Sequence, residues 1–77
     1  MTHIESIESA VRRYCEHLTA TTGHAHEVSA SNTRFWQIVR SDKCTVEVRV
    51  GRSSGVMYDP VTGFPCGAIE KTAARVA

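Results

Sequence analysis

The stretch RFWQIVRSDKCTVEVRVG, Arg34 to Gly51, decides the fold. Two runs in it are rich in β-branched and aromatic residues, and the second alternates strictly: Val46, Val48 and Val50 fall on one face, Thr45, Glu47 and Arg49 on the other. The short link SDK between the runs predicts an antiparallel hairpin. In the first run Phe35 and Trp36 are adjacent, so on a strand they point to opposite faces. Val39 shares the Phe35 face and Ile38 the Trp36 face, which leaves both faces apolar. That pattern fits a central strand, or one face used for association.

Working outward, HEVSAS before the hairpin is a further strand candidate, and GVMYD after it reads as another. DPVTG then supplies turn chemistry, with Pro60 presetting φ and Gly63 accepting a positive one. Upstream the period changes. Ile4, Ile7, Val11, Tyr14, Cys15 and Leu18 recur every three or four residues and form one apolar stripe, predicting a helix over roughly 3–20. Thr2 and Glu5 fit a capping box at its start, and Gly23 offers a stop after the threonine-rich end. The tail FPCGAIEKTAARVA is read as a strand or turn leading into a short helix, because Ala68, Ile69, Thr72, Ala73 and Val76 fall at helical spacing. The sum is an α+β domain: an N-terminal helix, an antiparallel sheet of three to four strands and a short C-terminal helix, over residues 1–77.

Size restricts what such a domain can do. Seventy-seven residues hold one modest core and leave little room for a deep substrate cleft, which argues for a protein that is not an enzyme. No Gly-rich phosphate loop, GxSxG, HExxH or paired carboxylate motif is present. The acids near the N-terminus do not suit a signal peptide and no run reaches the length of a membrane span, so the expectation is a cytoplasmic protein without membrane contact. Three cysteines, Cys15, Cys44 and Cys66, are an odd number without CxxC spacing and read as reduced, buried small hydrophobes.

CEHLTATTGHAH, Cys15 to His26, gathers one cysteine and three histidines and raises the question of a metal. On a helix Cys15 and His17 point about 200° apart and cannot share an ion. His24 and His26 face the same way in an extended segment but are two ligands where three or four are usual; a third, His3 or Cys44, would have to arrive through the fold. The expectation is therefore no metal and no cofactor, with a histidine-based metal protein as the third reading.

Charge placement adds a little. Between Ser31 and Val56, five basic residues against two acids give this segment +3, leaving −2 for the rest of a chain whose net charge is +1. A basic sheet beside Phe35 and Trp36 could meet nucleic acid through Arg40, Arg49 and Arg52. The leading expectation is a small interaction protein, a regulator, adaptor or inhibitor, that holds a protein partner through apolar and aromatic anchors. Phe35, Met57 and Tyr58 are the candidates. A homodimer is also compatible with the pattern.

The segment SNTRFWQIVRSDKCTVEVRVGRSSG, about a third of the chain, resembles the WGR domain, whose strands carry an aromatic-x-I start, a V-x-x-R alternation and a closing Gly-Arg. Phe35, Trp36, Ile38, Val46, Val48, Arg49, Gly51 and Arg52 carry the match. Val50 stands where that family has the tryptophan of its name, the following Gly-Gln is absent, and the N-terminal helix is not part of its pattern. The resemblance implies a non-catalytic module, known in poly(ADP-ribose) polymerases for contacting DNA ends, and would place Arg49, Gly51 and Arg52 near nucleic acid.

Overall fold

A computed structural model describes residues 6–29 and 34–75. The chain forms helix α1 (Ile7–Thr22), strands β1 (His26–Ser29), β2 (Phe35–Arg40), β3 (Thr45–Gly51), β4 (Val56–Tyr58) and β5 (Pro65–Ala68), and helix α2 (Ile69–Arg75). The strands make one antiparallel sheet in the order β1-β2-β3-β4-β5, each paired with its neighbour in sequence. This is the expected α+β architecture with five strands instead of three to four.

The additional strand comes from the tail, and the loop before it explains why. The Asp59 carboxylate accepts from the Val61 and Thr62 amides at 2.7 and 3.1 Å, while Gly63, at φ 76°, donates to the Asp59 carbonyl at 2.8 Å. The Asp59 amide in turn donates to the Phe64 carbonyl at 3.0 Å, turning the chain back so that Pro65–Ala68 pairs with β4. Strand and helix then share the tail without a connecting loop, β5 ending at Ala68 and α2 starting at Ile69.

Helix α1 starts later than its periodicity suggests. Ser6 is the N-cap, its hydroxyl accepting from the Ser9 amide at 3.1 Å, and the Thr2–Glu5 capping box lies outside the described residues. The helix ends at the expected glycine: Gly23 takes a left-handed φ of 76° and its amide reaches the Thr19 carbonyl at 3.2 Å. The threonine run is helical, and Thr19, Thr21 and Thr22 each donate a hydroxyl to the carbonyl four residues back.

Both helices lie on one face of the sheet and meet there. Ala10 and Val11 from α1, Ile38, Val48, Val50 and Met57 from the sheet, and Ile69 and Ala73 from α2 form the buried core with Cys15. Ile7, Tyr14, Leu18, Val28 and Trp36 pack at its margin. Ala10 and Ala73 are fully buried, and small side chains there let the helix axes approach. The Arg13 guanidinium donates to the Ala73 carbonyl at 3.1 Å and ties the two helices. No helix is long and apolar enough to cross a membrane among the described residues.

Pairing between β2 and β3 slips by one residue. Ile38 is opposite Val48 but Val39 is opposite Val46, so β3 carries an extra residue at this point. Side chains of cross-strand partners share a face. Val46 therefore joins Val39 on the face away from the helices, where simple alternation put it with Val48 and Val50.

Candidate interaction surface

The sheet face turned away from the helices is built by the out-pointing residues of all five strands, β1 contributing Glu27 opposite Val39 and Ser29 opposite Gln37. Phe35 and Val39 from β2, Val46 and Arg49 from β3, Tyr58 from β4 and Pro65 from β5 share it through their pairings. Phe35 and Tyr58 touch edge to face, with ring centroids 5.7 Å apart and planes at 87°. No described element covers them. Arg49 is exposed on the same face, and among the described residues no acid pairs with it. At the edge of this face Val61 and Phe64 project from the DPVTGF loop at 91% and 71% exposure.

Of the three aromatic and apolar anchors read from the sequence, the face brings Phe35 and Tyr58 together and excludes Met57. Met57 sits between two out-pointing neighbours on a three-residue strand, so it points to the helices and is 7% exposed. Its sulfur receives the Thr72 hydroxyl at 3.4 Å, which anchors α2 to β4. It is a core residue and cannot serve as a surface anchor.

The three arginines read as a basic sheet face do not share a face. Arg40 belongs to the row of Trp36 and Ile38, on the helix side, and is held by Asp42 at 3.0 Å with Glu47 at 3.9 Å. The hydrogen bond from Arg40 holds the Asp42 carboxyl below the usual carboxylate range, with a smaller contribution from His24, 3.6 Å away. Arg49 points outward, opposite Gln37 and Tyr58. Arg52 sits in the β3–β4 turn with its guanidinium 5.1 Å from the centroid of the Trp36 ring. Alternation along β2 places Arg40 and Arg49 on opposite faces, and the turn after β3 carries Arg52 to Trp36.

The histidine-rich stretch is a helix end, a short link and the first residue of β1. His17 stacks on Tyr14 at 6.1 Å, and the His26 ring contacts the His24 carbonyl at 2.7 Å. Among the described residues no three His, Cys, Asp or Glu side chains are grouped so as to hold a metal ion. His3 lies outside them.

The cysteines divide. Cys15 is buried in the core, and burial, with the charge of Glu16, pushes its thiol up in pKa, which keeps it protonated and a poor nucleophile. Cys44 and Cys66 are exposed, against the expectation of three buried hydrophobes. Their positions give the reason: Cys44 closes the β2–β3 turn at φ 52°, and Cys66 lies on an edge strand at a register shift.

One feature had no signal in the sequence. A cleft of about 290 Å³ opens between α1 and β1, lined by Arg12, Cys15, Glu16, His26, Glu27 and Val28. It depends on how far a helix stands from a strand edge, which no periodicity encodes. Compared with known protein families, with curated proteins and with solved structures, the chain matches none.

Proposed function

We propose that this is a small non-enzymatic interaction domain that binds and modulates a protein partner, using the helix-free sheet face around Phe35 and Tyr58. The observation that carries the reading is the edge-to-face pair itself, two aromatic side chains held on a sheet face that no described element covers. Interface hot spots are enriched in aromatic anchors of this kind, set among apolar neighbours that exclude water. Val39, Val46 and Pro65 supply such neighbours here. Arg49 among them, which no acid pairs with among the described residues, selects a partner surface that is apolar with an acid at its centre.

The test compares capture of partners by the full chain and by a Phe35→Ser/Tyr58→Ser variant whose thermal melt shows it to be folded. A partner held by wild type in high salt and released by the double variant fits the reading. Equal retention by both proteins sinks it.

A further inference from the structure

Among the described residues, two opposite charges on the helix-free sheet face have no ion-pair partner. Register fixes which side chains stand there: Glu27 opposite Val39 on β2, and Arg49 on β3 opposite Gln37. Both are exposed, and they are the charged residues among the paired positions of this face. Glu47, at the bulge, is turned instead toward Arg40, 3.9 Å away. Glu27 and Arg49 do not meet within the chain. Their strands are separated by β2 and their positions by two residues along it, so about 10 Å across and about 7 Å along put the Cα atoms about 12 Å apart.

This placement is self-complementary. Halfway between the two charges lies β2, at the point between Gln37 and Val39. A two-fold axis between two facing sheets, passing over that point at right angles to the line joining the charges, sets each Glu27 against the Arg49 of the other copy. Both ion pairs then form at once, and Val39 and Val46 of the two copies meet between them. A second copy brings this pattern by construction. A foreign surface would have to match one acid and one base in reverse order, as well as the apolar patch between them.

Resting on the reading of this face as an interaction surface, we propose that a second copy of the chain covers it, with Glu27 paired to Arg49 in both directions, until another partner displaces that copy. The Phe35–Tyr58 pair lies beside the contact, because Tyr58 is the β4 neighbour of Arg49. A partner that takes the face must therefore first part the two copies. One face of a small sheet belongs at the lower end of interface sizes, which keeps the association reversible.

Sedimentation of the full chain over a concentration series reads the association directly, and charge reversal tests its geometry. Wild type should dimerise with a dissociation constant of about 1–100 μM. Glu27→Arg and Arg49→Glu should each weaken the dimer at least about tenfold, since like charges then face each other twice. The exchanged variant Glu27→Arg/Arg49→Glu should return to within about threefold of wild type, and so should an equimolar mixture of the two single variants, because each restores two opposite pairs. Both positions are exposed, and rescue in the mixture itself shows that each single variant is folded. A wild type that stays monomeric to about 1 mM overturns the proposal and leaves capture of a foreign partner through Phe35 and Tyr58 standing. Dimers indifferent to both reversals, or weakened single variants that the mixture does not rescue although each melts as wild type does, overturn it as well.

Discussion

Val39 faces Val46 across the β2–β3 pair, one step out of the register that sets Ile38 opposite Val48. Two valines separated by a single residue in β3 thus serve opposite faces, Val48 at 6% exposure in the core and Val46 on the open side. Arg49, opposite Gln37, and Arg40, in the row of Ile38, are parted by the alternation of β2 itself.

Threonine substitutions should therefore separate the two valines. Val48→Thr buries a hydroxyl in an apolar core and should cost about 1–3 kcal/mol, whereas Val46→Thr, on the open face, should change stability by about 0.5 kcal/mol or less. Urea unfolding of both variants measures this. Equal losses would mean that β3 alternates without interruption.

Cys44 holds a left-handed φ of 52° that glycine adopts without steric strain. Cys44→Gly should raise the unfolding free energy by about 0.5–1 kcal/mol, the relief of strain exceeding the added chain entropy of the unfolded state. A loss of stability in the same assay would show that the thiol makes a contact worth more than the strain.

Thiol accessibility should follow burial. Near pH 8, Ellman's reagent should label Cys44 and Cys66 within the mixing period, and Cys15 only at the rate of opening or in denaturant. Raising the pH toward 9 should not expose Cys15, because its ionisation is itself disfavoured by burial. Three thiols titrating together in the native protein would contradict the placement of Cys15.

Nucleic-acid binding, the competing use of the sheet, has a sharp signature in salt. A surface that neutralises phosphates loses affinity steeply as salt rises, and Arg40→Ala/Arg49→Ala/Arg52→Ala would remove most of the slope. Because Arg40 is engaged by Asp42 and the three side chains diverge, the expectation is no salt-sensitive binding of short DNA or RNA tighter than about 10⁻⁴ M. Tighter binding that the triple variant abolishes would revive that reading and displace the protein-partner one.

Local pattern carried much of the architecture. The stripe through Val11 and Cys15, the glycine stop at Gly23 and the shared inward face of Val48 and Val50 each follow from chemistry within a few residues, and each is found where the pattern puts it, whereas Val46 is turned to the other face by the bulge. What escaped depends on relations between segments. Tyr58 and Met57 look equally suited to a surface on a strand too short to display a period, and only pairing with Arg49 and Val50 decides which one turns outward. Pro65–Ala68 has poor strand composition and becomes one because a preceding loop delivers it to β4. Phe35 and Tyr58 lie far apart in sequence, so their contact could be guessed as a pair of candidates and not as one site.

The bond from Arg13 to the Ala73 carbonyl spans 60 residues, whereas every strand pairs with its neighbour along the chain. The sheet can thus assemble by successive local steps, but the seam between the helices must wait for the largest loop in the molecule to close, and that entropy is repaid only near the end. Ala10 and Ala73 then stabilise the native state after the rate-limiting step. Substituting either with serine should speed unfolding severalfold and leave the folding arm of a chevron nearly unmoved; an equal slowing of folding would place the helix pairing in the nucleus. A domain built this way can loosen at its helical seam while its strands remain paired, so its resistance to proteolysis is set by two alanines at opposite ends of the described chain.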